Sequence, residues 1–127
     1  MRVFLVRHAE AAPGEPDALR PLTPEGRETA RALGELLAGE RIDAVVSSPL
    51  RRARETAEAV AAAAGLTPET HEGLAPGATG TSLCDIIAGR GDTVVAIGHQ
   101  PDCGNIVEEL TGDRRPFAPG AYVELRL

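Results

Sequence analysis

Short, wholly apolar runs alternate along this chain with segments in which apolar residues recur every three or four positions. Val3-Phe4-Leu5-Val6 is unbroken by any polar residue, as in a strand buried on both faces. Thr23-Pro24 opens the first helical pattern, with Thr as N-cap and Pro in the first turn. Its apolar stripe is Ala30, Leu33 and Leu37, and Gly39 ends it. Ile42 and Ala44-Val45-Val46 predict a second strand. Ser47-Ser48-Pro49 is a second cap-and-proline signature, placing Pro49 at the first helical position. The helix it opens runs to Ala64 and stops at Gly65, with Ala53, Ala57, Val60 and Ala64 as its buried stripe. A weak strand is expected at Thr70–Glu72, a loop at Gly73–Gly80 and a short helix at Ser82–Ala88. Thr93–Ile97 reads as a third buried strand, Pro101–Leu110 as a helix and Tyr122–Leu127 as an alternating edge strand. This order predicts an α/β fold: a three-layer α/β/α sandwich with a mostly parallel central sheet. No repeat or linker interrupts it, so residues 1–127 are expected to form one domain.

Composition narrows the function. The 127 residues carry a formal net charge of −6, which disfavours nucleic acid and anionic lipid as partners. Aromatic residues are scarce, so the core must be aliphatic. All 13 basic residues are Arg, so any phosphate grip must use guanidinium forks, which bind oxyanions bidentately. Cys84 and Cys103 form no metal or redox spacing and are expected to be reduced. No run resembles a signal peptide or a membrane span, and the cytoplasm is the expected compartment. No pair among His8, His71 and His99 has helical or hairpin ligand spacing, so no metal site is expected. His71 reads as structural or exposed.

The chemistry is concentrated at strand ends, where open parallel sheets place their ligands. The first strand ends in Arg7-His8, the second in Ser47-Ser48 ahead of Arg51 and Arg52, and the third in Gly98-His99. Two His and at least two Arg thus converge on one rim. A neutral imidazole can attack phosphorus in line. Fixed guanidinium groups stabilise the charge spread over the equatorial oxygens. The helix after Ser48 adds backbone N–H donors at its N-terminus.

Arg7-His8-Ala9-Glu10 after an apolar strand resembles the Arg-His-Gly signature of the histidine phosphatase (phosphoglycerate mutase-like) superfamily. Ser47-Ser48-Pro49-Leu50-Arg51-Arg52-Ala53-Arg54-Glu55-Thr56-Ala57 resembles that family's second motif, and Val94-Val95-Ala96-Ile97-Gly98-His99 its second-histidine motif. Arg20-Pro21-Leu22-Thr23-Pro24-Glu25-Gly26 is similar to the segment preceding the first helix. The resemblance implies a phosphoglycerate mutase-like fold and a phosphatase that needs no metal or cofactor. His8 would be the phosphorylated nucleophile, and Arg7, Arg52 and His99 would bind the phosphoryl oxygens. Arg52 precedes the Ala of the Arg-Ala pair. Spacing agrees, since Arg51 and Arg54 each have a Glu four residues on, at Glu55 and Glu58, and Arg52 has Thr56. One residue departs from the pattern: Ala9 stands where the family has Gly, and a required positive φ there would cost Ala about 1 kcal/mol or more. Many relatives draw a proton donor from the segment after the second helix, where Glu69 and Glu72 lie; the loop after the first strand offers Glu10, Glu15 and Asp17. Glu72 and Asp17 are the candidate proton donors.

The interval between the second helix and the second-histidine motif is short, with room for one small helix, and the chain ends just after its last strand. An open site is therefore expected, one that suits a phosphorylated protein side chain better than a sequestered metabolite. The overall resemblance points to the SixA-type phosphohistidine phosphatases, with phosphohistidine on a protein phosphotransfer domain as substrate. The alternatives are a small-molecule phosphomonoesterase acting on a sugar or nucleotide phosphate, and a phosphate-binding module without turnover. Oligomeric state is not legible, and a monomer is compatible with everything above.

Overall fold

The computed structural model describes residues 1–127. Strands β1 (Arg2–Arg7), β2 (Ala44–Ser47), β3 (Glu69–Thr70), β4 (Thr93–Gly98) and β5 (Tyr122–Arg126) alternate with helices α1 (Pro24–Ala38), α2 (Arg51–Ala64), α3 (Gly80–Ile87) and α4 (Asp102–Thr111). The strands form one sheet in the order β3-β2-β4-β1-β5. β1 to β4 are parallel, and β5 runs antiparallel to β1 at the edge.

The unbroken apolar runs are explained by the two faces they serve. Phe4, Val6, Val45, Val95 and Ile97 pack with Leu33 and Leu37 of α1 and Ala53, Ala57 and Val60 of α2. The alternate residues Val3, Leu5, Val46, Val94 and Ala96 pack with α3 and α4 through Leu83, Ile86, Ile106 and Val107. This is the expected three-layer sandwich. Fully burying a Leu, Ile or Phe contributes about 1.5–3 kcal/mol, so β1 and β4 anchor the sheet.

The helix ends depart from expectation in physically readable ways. Thr23 caps α1 as expected, its hydroxyl accepting from Gly26 N at 2.9 Å. α2 begins at Arg51 rather than Pro49, with Leu50 at the N-cap and no side-chain cap. Ser48 instead turns its hydroxyl to His99. β3 covers Glu69–Thr70, and Glu72–Leu74 forms a turn of 3-10 helix with Leu74 buried in the core. α3 starts at Gly80, two residues early, because Thr79 and Ser82 form a reciprocal capping box. Arg54 reaches the Pro49 carbonyl at 3.0 Å rather than Glu58, whereas Arg51 pairs with Glu55 at 3.0 Å as the spacing predicts.

Strand register positions the site. Arg7 lies opposite Gly98, and Ser47 opposite Ile97. The carboxyl ends of β1, β4 and β2 therefore fall side by side at one edge of the sheet.

Candidate active site

A cleft of about 430 Å³ opens at that edge. It is lined by Arg7, His8, Arg52 and His99, the four residues singled out at the strand ends, together with Glu10, Ala11, Arg20, Pro76, Gln100 and Pro119. Seven polar or charged side chains among the ten, three of them Arg, make it a polar, cationic pocket.

His8 follows β1 directly. Its backbone N–H donates to Gly98 O at 3.0 Å, and its carbonyl accepts from Gly120 N at 3.1 Å, so both sides of the residue are pinned. The ring nitrogen Nδ1 lies 2.7 Å from the Ala9 carbonyl oxygen. A carbonyl only accepts, so Nδ1 carries the proton and Nε2 keeps its lone pair. Burial holds the His8 pKa below 6.5, assisted by the charges of Arg52, Arg7 and Arg20 and opposed by the Ala9 contact. At neutral pH the ring is predominantly neutral.

His99 is 4 % exposed. Its Nε2 lies 2.8 Å from Ser48 Oγ. Ser48 Oγ already accepts from Leu50 N at 3.2 Å. Its hydroxyl proton has no other acceptor and points at His99, which leaves the imidazole proton on Nδ1. Burial, with His8 and Arg52 adding to it, lowers the His99 pKa to about 4. His99 is a neutral donor across the physiological range.

The arginines are held by their backs. Arg7 Nη1 donates to Phe117 O at 2.9 Å, and Arg7 Nε is buried with no partner in the protein. Arg52, on the first turn of α2, is only 7 % exposed. Its Nη1 donates to Asp17 O at 2.9 Å and its Nη2 to Asp17 Oδ2 at 3.2 Å. A guanidinium has five N–H donors, so each arginine keeps donors for a ligand. Thr56, fully buried one turn along α2, joins the two motifs: its Oγ1 accepts from Ala9 N at 3.1 Å and donates to Arg52 O at 2.9 Å. Ala9 is buried and does not adopt positive φ. The departure from Gly therefore carries no backbone strain.

The two candidate proton donors are placed differently. Glu72 lies in the 3-10 turn after β3, exposed and away from the cleft lining. Asp17 is ionised at neutral pH, because Arg20 and then Arg52 hold its carboxylate below its usual range. An ionised carboxylate has no proton to give. Glu69 is also remote, pairing with Arg90 at 2.8 Å. The acidic side chain that lines the cleft is Glu10, whose Oε1 accepts from the Thr23 hydroxyl at 2.8 Å. His71 caps the 3-10 turn, accepting from Gly73 N at 2.9 Å. Cys103 is a core residue, its thiol pushed up to about 12 by burial. Sequence reasoning missed Arg20 and Gln100. Gln100 follows His99 directly, and Arg20 heads the segment before α1, which was the available signal for both.

The sequence profile described as the histidine phosphatase superfamily (branch 1) matches residues 3–81. The chain belongs to this superfamily, and it is a phosphatase. It is 33 % identical over 138 residues to the phosphohistidine phosphatase SixA of Escherichia coli K12, covering 100 % of this chain and 86 % of that protein. It is 32 % identical over 143 residues to the SixA homolog of Haemophilus influenzae, covering 98 % and 87 % of the two chains. Among solved structures, the protein histidine phosphatase SixA complexed with tungstate superposes with a TM-score of 0.88 at 31 % identity, covering 100 % of this chain and 88 % of that one. The phosphatase thus combines a SixA-like fold with three strand ends converging at one cleft.

Proposed function

We propose that the phosphatase acts through a phosphohistidine on His8 and that its substrate is phosphohistidine carried by a protein. The observation that carries this is the 2.7 Å contact between His8 Nδ1 and Ala9 O. It fixes the tautomer that leaves Nε2 as a nucleophile. In the first step the Nε2 lone pair attacks phosphorus. The substrate's phosphorus–nitrogen bond breaks, and the departing imidazole keeps the electron pair and takes up a proton from solvent. Arg7, Arg52 and the His99 Nδ1–H hold the phosphoryl oxygens as their charge redistributes. In the second step water attacks the phosphorus on His8, the Nε2–phosphorus bond breaks, and phosphate leaves with the water's proton released. No protein acid is required for an imidazole leaving group, since its nitrogen protonates readily. Neither candidate acid offers a proton at the cleft, Asp17 being ionised and Glu72 remote.

A protein substrate is supported by the shape of the rim. The stretch between α2 and β4 sends only Pro76 to the cleft, while its helix α3 packs into the core beside α4. Likeness to the SixA proteins points the same way. Two free cysteines fit a reducing compartment, for which we propose the cytoplasm. No helix is long and apolar enough to cross a membrane.

The test is acid-labile phosphoprotein trapping in excess chelator. Wild type mixed with a phosphohistidine protein should release phosphate and show a transient base-stable, acid-labile phosphate on the peptide containing His8. His8→Ala should do neither. Full activity of His8→Ala would refute the nucleophile, and efficient turnover of small esters with untouched phosphoproteins would refute the substrate.

A further inference from the structure

Asp17 is the most unusual group around the cleft. It is exposed, yet its carboxylate bridges two cleft-lining guanidinium groups, Arg20 Nη1 at 3.1 Å through Oδ1 and Arg52 Nη2 at 3.2 Å through Oδ2. Its backbone carbonyl takes a further donor from Arg52 at 2.9 Å. The residue comes from a single 3-10 turn, Asp17–Leu19, that lies over α2. Arg20 is fixed on its other side by Nε donating to Ala12 O at 2.8 Å. The turn therefore presents an anion to the same guanidinium that a phosphoryl group is proposed to occupy.

Elementary electrostatics gives this bridge two effects. It holds the Arg52 plane by two contacts on one side, leaving three of its five N–H donors for a ligand. It also places a negative charge directly against that guanidinium, whose side chain lines the cleft. Like charges that share a cation repel across it, and because Asp17 is exposed that repulsion is felt most at low salt.

We infer that Asp17 is a positioning residue and resident counter-anion, which aims Arg52 and, by sharing it with the product, keeps the grip on released phosphate weak. A cleft lined by three arginines would otherwise retain phosphate, and a phosphatase must release it each turnover. This assignment rests on the proposed role of Arg52 as a phosphoryl ligand. It replaces proton donation as the reason for a carboxylate at this position.

The experiment is calorimetric titration of the full chain with inorganic phosphate at pH 8 and low salt. Asp17→Asn retains an acceptor oxygen for Arg52 but removes the charge, and it should bind phosphate about threefold more tightly than wild type, the scale of one partly screened charge nearby. Asp17→Glu, which keeps the charge, should match wild type. A merely structural role would move the affinity the other way, because a loosened Arg52 binds phosphate less well. Unchanged or weakened binding in Asp17→Asn overturns the inference. Arg52→Ala tests the premise separately: it should weaken phosphate strongly, and if it does not, the site reading fails along with the inference.

Discussion

The rings of His8 and His99 stand with their centroids 5.2 Å apart and their planes tilted by 60°. They arrive from two neighbouring parallel strands, because Arg7 lies opposite Gly98 and one further residue on each strand brings the imidazoles to the same edge. At that spacing a proton on one ring disfavours a proton on the other, and His8 is among the groups that lower the His99 pKa. The site is therefore built to keep both imidazoles neutral, one with a free lone pair and one with an N–H to donate.

Neutral burial makes stability depend on pH. His99 titrates near 6.5 when unfolded and at about 4 when folded. Its contribution is fully present above pH 6.5, where neither state is protonated. Between pH 6.5 and 4 the unfolded chain takes up a proton that the folded chain refuses, so stability falls as pH falls, by roughly 3 kcal/mol in all. His8, also lowered, acts in the same direction. Urea unfolding at pH 7.5 and 4.5 should show the loss, and His99→Gln should show a shallower slope. Equal slopes would mean that His99 is not the group responsible.

Ser48 fixes the tautomer of His99 from behind. Ser48→Ala removes the hydroxyl at 2.8 Å from Nε2, so the imidazole proton is free to move to Nε2 and away from the cleft. Turnover of phosphohistidine protein should drop by about tenfold or more, as when a preorganised donor is weakened. Because Ser48 is fully buried, stability should fall by about 1 kcal/mol as well. Steady-state rates beside a melting curve separate the two; unchanged turnover would remove Ser48 from the site.

Thr56 couples the two motifs through one hydroxyl. Thr56→Val keeps the shape but leaves the buried Ala9 N–H without its acceptor, which costs about 1–3 kcal/mol. Ala9 is also the residue whose carbonyl holds His8 Nδ1, so its displacement should slow the attack step. The expected result is a lower melting temperature and a lower kcat together, with KM little changed. A fall in stability with kcat intact would make Thr56 a core residue only.

Much of the fold and site was legible in the sequence, for reasons visible in particular residues. Val3–Val6 and Thr93–Ile97 are apolar at nearly every position because α1 and α2 cover one face and α3 and α4 the other. That symmetry identifies central parallel strands, and central strands locate the cleft. His8 and His99 were recoverable because each follows such a strand immediately. The helix starts were less so. Ser48-Pro49 carries a cap signature, yet Ser48 serves His99, a partner 51 residues away that no local pattern reveals. Arg20, and the pairing of Asp17 that the sequence offers only as a proton donor, were obscured in the same way. Both residues sit in and beside a short 3-10 turn with no periodicity, and only the fold brings that turn against Arg52. Glu72, placed by analogy in the segment after α2, lies on a turn outside the cleft lining.

Gly26 tests how tightly the loop after β1 is held. It lies on the first turn of α1, where an added Cβ would fall 2.1 Å from the Glu10 carbonyl oxygen, a backbone atom that cannot swing aside. That same carbonyl accepts from Thr23 N at 3.0 Å, so α1 and the loop are locked edge to edge. Gly26→Ala would ordinarily favour a helix by about 1 kcal/mol. Here the clash must push the loop off α1, and Glu10, which lines the cleft, must move with it. The net effect should be destabilisation of about 1–3 kcal/mol, the usual range for overpacking. Turnover should fall more than the fraction of unfolded protein explains. Gly26→Ser should behave alike, because the fault lies in the Cβ and not in polarity. A stabilised Gly26→Ala would mean that the loop yields freely, and that the geometry around His8 is not set by its packing against α1.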